Sequence, residues 1–234
     1  MAPPQAIANW QSASARPQPA APSTRERQKA ARRRRILDAA RALILEGGRG
    51  DFSMPALAAA AGVSLVTPYN LFGSKANILL EIARQDIFGR MSEIARLPCD
   101  GLAQFLSDLA AVLARVYYAD RHFYRRMIAT MAAQESAEGQ QGIVNLSYDT
   151  FEIFAARLLA TKKLRPILGA RVLAQQFAHS VASSLQHRMI ERGSEARLKQ
   201  EFELGLILIV AGLAMPAERS VLLDRAKAIG EAIA

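Results

Sequence analysis

The sequence predicts an all-α fold, and three observations carry that prediction. Apolar side chains recur at spacings of three and four along most of the chain, the period of one helical face. No stretch alternates apolar with polar residues as a half-buried strand would. Ser, Gly and Pro stand where helices are expected to start and stop. With 234 residues, 51% hydrophobic and 22% charged, the chain can bury a sizeable core in one large domain or two smaller ones.

Residues 1–24 hold five of the ten prolines among Ala, Gln and Ser, and read as a disordered tail that cannot offset its ordering entropy. Arg25, Arg27, Lys29 and the run Arg32-Arg33-Arg34-Arg35 then form a basic arm leading into a first helix. The apolar face of that helix is Ile36, Ala39, Ala40, Leu43 and Ile44, and Gly47-Gly48 stops it. Ser53 caps a short second helix with Pro55 in its first turn and Leu57, Ala58 and Ala61 inward, ending at Gly62. Ser64 is expected to cap a third, Leu65 to Leu71, with Pro68 in its first turn and Gly73 closing it. Ser74 caps a longer helix carrying Ile78, Leu79, Ile82 and Ala83.

Beyond Met91 the pattern stays helical. Pro98 to Gly101 breaks it, Leu102–Tyr118 resumes it, and Asp120 opens a segment through Met131. Glu135–Gly142 is polar and reads as a loop, Ile143–Leu159 as a helix, and Lys162 to Gly169 as a connection. Leu173, Phe177, Val181, Leu185 and Met189 form a four-spaced stripe that ends near Gly193. Leu198, Phe202, Leu206, Ile209 and Leu213 mark a further helix, and Val221 to Ile233 a last one.

Lys and Arg number 30 against 21 Asp and Glu, a net +9 with pI near 10.2. Ten of the cations and three of the acids lie in residues 1–49, so the excess is N-terminal and favours a polyanion, nucleic acid or an anionic membrane surface. The uncharged run Leu204 to Ala217 is only 14 residues and contains Gly and Pro, too short to span a bilayer. No basic start followed by an apolar core suggests secretion, so a cytoplasmic protein is expected. The lone Cys99 excludes an intrachain disulfide, and inertness is its default reading. His122, His179 and His187 form no Cys/His cluster or His-Glu-x-x-His run, so no metal and no other cofactor is expected. With no Gly-x-Ser-x-Gly elbow and no phosphate-binding Gly loop either, no catalytic residue is nominated.

Two short helices joined across Gly62-Val63 match a helix-turn-helix, whose second helix is short enough to enter the major groove. Ser53, Ser64, Thr67 and Tyr69 offer hydroxyls to phosphate or sugar, and Lys75 stands at a helix start where backbone N–H groups also face an anion. Leu65, Val66 and Asn70 are left for bases: aliphatic contact with thymine methyls, and a bidentate pair from Asn70 to adenine. Arg32, Arg33, Arg34 and Arg35 are expected to track the backbone or enter a neighbouring minor groove, giving salt-sensitive affinity with little sequence information.

The stretch Leu57-Ala58-Ala59-Ala60-Ala61-Gly62-Val63-Ser64, then Thr67-Pro68-Tyr69-Asn70-Leu71-Phe72-Gly73-Ser74-Lys75 and Ile78-Leu79, resembles the DNA-binding signature of the TetR (tetracycline-repressor-like) family of bacterial regulators. The resemblance covers roughly residues 30–85. It departs at Leu71, where His or Tyr is usual, at Val66, where a small residue is common, and at Ala76, where Glu is common.

The resemblance implies a homodimeric, ligand-responsive repressor of a palindromic double-stranded DNA operator. Its architecture would be an N-terminal three-helix DNA-binding domain (25–74, with the basic arm) and a larger helical effector-binding and dimerisation domain (75–234). The small residues Ala174, Ala178, Ser180, Ala182, Ser183 and Ser184 and the nearly all-apolar Leu204–Met215 fit a self-complementary interface, which would use Ala178, Val181, Ala182, Leu185, Leu206, Ile209, Val210 and Leu213. By the same resemblance, the middle helices hold a pocket for a hydrophobic or aromatic effector. Candidate lining residues are Phe105, Leu109, Val112, Tyr117, Phe123, Met127, Met131, Tyr148, Phe151, Phe154, Phe177 and His179, with Gln175 as a further polar anchor. The alternatives are an architectural DNA binder using mainly the arm, a helical enzyme, and a membrane-surface protein.

Overall fold

The computed structural model describes residues 23–46, 52–132, 137–190 and 193–233. Among them are ten helices: α1 Thr24–Glu46, α2 Met54–Ala60, α3 Val66–Phe72, α4 Lys75–Ala95, α5 Leu102–Ala119, α6 Arg121–Ala132, α7 Ala137–Ala160, α8 Ala170–Ile190, α9 Glu195–Leu213 and α10 Pro216–Ile233. The fold is all-α, as the 3.6-residue pattern predicts; the described residues hold no strand, only an isolated bridge between Leu164 and Ala214. The proline-rich tail through residue 22, Gly47-Gly48 and Asp51 lie outside the described residues.

The described residues form two compact units, one from those between 23 and 87 together with those between 120 and 146, the other from 88–119 and those between 147 and 233. In the first, Ile36, Leu37, Ala40 and Ile44 of α1 meet Leu57 of α2, Phe72 of α3 and Ile78, Leu79 and Ile82 of α4. Phe123 and Met127 of α6 close this same core. Both were expected to line an effector pocket among the middle helices; they are instead fully or nearly buried beside the helix-turn-helix, because α6 packs on α1. Arg41 fixes that packing: it forks onto Asp86 at 2.7 and 2.5 Å, reaches Asp120 at 3.2 Å, and lies 4.0 Å over the Phe123 ring. Tyr124 donates its hydroxyl to Asp86 at 2.8 Å.

The second unit is organised around α9, which packs on α5, α8 and α10. Neighbours on three sides explain why Leu204–Met215 is apolar nearly all round. Leu206, Val210 and Leu213 are taken up by this core, so they leave no side chain for a second protomer. The α8–α9 crossing also uses the small residues within one chain: Ala174 and Ala178 are buried, and a Cβ at Gly205 would fall 2.1 Å from Ser180 Oγ. Glu203 is fully buried in α9 and receives Arg225 of α10 at 2.7 Å, with Lys199 at 3.9 Å.

The starts of α7 and α10 differ from expectation. The segment read as a polar loop, Glu135–Gly142, is helical from Ala137, where α7 begins. The last helix starts at Pro216, a residue tolerated in a first turn because it lacks only a donor that would go unused there. Among the described residues, no helix is long and apolar enough to cross a membrane.

Candidate nucleic-acid interface

The helix-turn-helix is built by its punctuation. Ser53 sits in extended backbone and accepts the Ala56 N–H at 3.2 Å, the side-chain cap that its position predicts. α2 buries Met54, Leu57 and Ala58, then turns at Gly62 with φ of +62°, a left-handed conformation suited to glycine. Ser64 does not cap α3. Its hydroxyl lies 2.9 Å from that of Thr67, α3 begins one residue later than expected, and Leu65 at its N-cap makes no side-chain cap bond.

α3 has seven residues and buries only Pro68 and Phe72. Its other faces are open: Leu65 is 47% exposed, Val66 60% and Tyr69 47%, with Asn70 and Ser64 exposed beside them and Thr67 half-buried. Exposed apolar side chains grouped in this way on one short helix are a feature of interaction surfaces. Phe72 packs in the core, and Gly73 ends the helix with φ of +81°.

α4 begins at Lys75, preceded by Ser74, whose hydroxyl accepts the Asn77 N–H at 3.2 Å. The Lys75 ammonium lies 5.0 Å from the Phe52 ring centre, and burial holds its pKa below the ordinary lysine value. Ser53, Ser64, Leu65, Val66, Tyr69 and Asn70 are thus exposed within one helix-turn-helix, with Lys75 three residues past the end of α3.

The arginine run corrects the sequence reading. There is no arm at Arg32–Arg35: these residues lie mid-helix, because α1 starts at Thr24. A reciprocal cap explains that start, with the Ser23 hydroxyl accepting the Glu26 N–H at 3.2 Å and the Glu26 carboxylate accepting the Ser23 N–H at 2.7 Å. The signal Ser23-Thr24-Arg25-Glu26 stands in the sequence and was available to find it. Arg25, Arg27, Lys29, Arg32, Arg34 and Arg35 are exposed on this helix, whereas Arg33 turns inward.

Of the other candidate pocket residues, Phe105, Leu109, Phe154 and Phe177 are fully buried, and Val112, Tyr117 and Phe151 nearly so. Phe151 meets Phe154 and Phe177 edge to face, each pair 6.2 Å apart. Tyr148 and His179 come together at 3.0 Å, Tyr148 half-buried and His179 exposed. Gln175 is half-buried, and the Met131 side chain lies outside the described residues. Of the candidate interface residues, Ala178 and Val181 are buried, Leu185 and Ile209 half-buried, and Ala182 exposed. Leu208, 55% exposed, and Met215, 40% exposed, lie within the expected run Leu204–Met215 but are not among the residues singled out from it.

Residues 36–82 match the family of bacterial regulatory proteins described as the tetR family. No curated protein matches the chain significantly. Solved structures share its fold. Thermus thermophilus FadR, a TetR-family transcriptional repressor in complex with lauroyl-CoA, gives a TM-score of 0.64 at 24% identity over 78% of this chain and 95% of that one. SmeT, the repressor of the Stenotrophomonas maltophilia multidrug efflux pump SmeDEF, gives 0.55 at 24% over 80% and 92%, and is also solved with triclosan. NalD, the secondary repressor of the Pseudomonas aeruginosa MexAB-OprM efflux pump, gives 0.54 at 22% over 81% and 99%.

Proposed function

We propose that the chain, whose residues 36–82 match the tetR family of bacterial regulatory proteins and carry a helix-turn-helix, is a ligand-responsive repressor that binds a palindromic operator as a homodimer. One observation carries the reading: a seven-residue helix, held by Pro68 and Phe72, leaves Leu65, Val66, Tyr69 and Asn70 open to solvent. Val66 and Leu65 are suited to thymine methyls, Asn70 to an adenine edge, and the hydroxyls of Ser53, Ser64, Thr67 and Tyr69 to phosphate or sugar. Lys75 and the first N–H groups of α4 add a further phosphate contact. The exposed cations of α1 supply the salt-dependent share of affinity.

The dimer would use the face of α8 and α9 that the chain's own core leaves open, with Ala182 and Leu185 from α8 and Leu208, Ile209 and Gly212 from α9. The aromatic cluster Phe151, Phe154 and Phe177, beside the Tyr148–His179 pair, supports an apolar or aromatic effector with one polar anchor. The lauroyl chain of the lauroyl-CoA on FadR, though not its charged CoA part, and triclosan on SmeT agree with that class. The effector would weaken operator binding by its preference for one of two states of the dimer.

Selection of duplexes from a random pool tests the reading, followed by binding of the winner at several salt concentrations. A palindrome bound far more tightly than random DNA is expected. A flat pool with steep salt dependence would favour the architectural alternative, in which the α1 cations alone bind.

A further inference from the structure

We propose that Arg33 is a positioning residue for α3, so that the four-arginine run divides into one side chain that holds the reading helix and three that face solvent. The proposal deepens the assignment of α3 as the DNA-reading helix and rests on it. Arg33 stands three and four residues before the buried Ile36 and Leu37 and seven before Ala40, so the helical period turns it to the core face of α1. Arg32, Arg34 and Arg35 fall on the other faces and are exposed.

The guanidinium makes three contacts around the end of α3. It donates from Nη1 to the Leu71 carbonyl at 2.7 Å, lies 4.3 Å from the centre of the Phe72 ring, and brings Nη2 to 3.8 Å from Glu81 Oε1 on α4. Leu71 and Phe72 are the last two residues of α3, where carbonyls lack donors from a following turn. Asn77 takes the second of them, donating Nδ2 to the Phe72 carbonyl at 2.8 Å. A side chain from α1 and another from α4 therefore hold the two terminal carbonyls of the reading helix.

Guanidinium suits this task better than ammonium, because one planar group stacks on a ring and donates sideways at once. A helix of seven residues gains little stability from its own hydrogen bonds, so its direction depends on such ties. A change in that direction displaces Val66 and Asn70, whose geometry must match base edges within about 1 Å. Contacts to phosphates carry no sequence and suffer less.

The test compares R33K, R33Q and R35Q in the full chain, with binding to the duplex that the wild type selects and to a random duplex at several salt concentrations. R33K keeps the charge and loses the fork. R33K and R33Q are expected to bind the selected duplex about tenfold more weakly while random-duplex affinity and the salt slope hold. R35Q is expected to weaken both duplexes alike and to reduce the slope by about one. R33K indistinguishable from wild type, or R33Q with a reduced slope and equal weakening on both duplexes, would overturn the proposal by making Arg33 a phosphate contact. If R33Q loses helix by circular dichroism, R33K decides alone. If the wild type selects no duplex, it is the DNA-reading assignment that fails. Amide exchange of α3 in R33K then decides the tie itself: faster exchange supports it, and an unchanged rate refutes it.

Discussion

At Gly205 a single oxygen determines what the backbone can carry. A methyl there falls 2.1 Å from Ser180 Oγ but 3.5 Å from Ser180 Cβ, which is ordinary contact. Gly205→Ala alone is expected to destabilise the fold by ~1 kcal/mol through overpacking. Combined with Ser180→Ala the clash is gone, and the helix gains roughly 1 kcal/mol of propensity over glycine. The double variant should match or exceed the wild type in urea unfolding, closing a cycle with strong coupling. Equal costs for Gly205→Ala with and without the serine hydroxyl would contradict it. Tyr124 shows a second local dependence. Burial, and then the Asp86 carboxylate beside it, hold its hydroxyl far above the ordinary phenol value of 10.0. A raised pKa means that the fold favours the protonated form, so this stabilisation is present below about pH 10 and is lost as pH rises beyond it. Urea unfolding from pH 9 to 11 should show a steeper alkaline loss for the wild type than for Y124F.

Among elements, the caps decide where helices begin and how firmly. Ser53→Ala removes the acceptor for the Ala56 N–H and should cost ~1 kcal/mol. It should also weaken operator binding more than stability, since α2 supports α3. Thermal unfolding and duplex binding of the same variant check both. The helix-turn-helix is legible in the sequence because its signals are local: Ser53, Gly62, Gly73 and Ser74 each act within a turn of their own position. The start of α1 is as local, but its Ser23-x-x-Glu26 signal lies next to a proline-rich tail and is overshadowed by the arginine charge. The destination of α6 is not legible. Phe123 and Met127 sit at helical spacing like any core pair, and only the pairing of Arg41 with Asp86 and Asp120, 45 and 79 residues away, assigns them to the first unit. The same holds for α9, where composition tells that the helix is buried and not by which neighbours.

For the whole molecule, the exposed Leu208 is the sharpest probe of the proposed dimer. Its neighbours Leu206 and Val210 already serve the internal core, so Leu208→Lys should leave monomer folding intact and place a charge in an apolar interface. Sedimentation is expected to show a monomer, with operator affinity falling together with the dimer fraction. A dimer of undiminished stability would place the interface elsewhere.

The bridge between Leu164 and Ala214 has a dynamic consequence. Arg165 donates its N–H to the Leu213 carbonyl at 2.7 Å, and Met215 donates to the Lys163 carbonyl at 2.9 Å. These two bonds staple the segment just before α8 to the residue after α9, so the two helices form a closed loop about fifty residues round whose ends cannot separate independently. Amides in connecting segments ordinarily exchange with solvent quickly. Those of Arg165 and Met215 should instead exchange as slowly as the helices that they join, and should open with them as one cooperative unit.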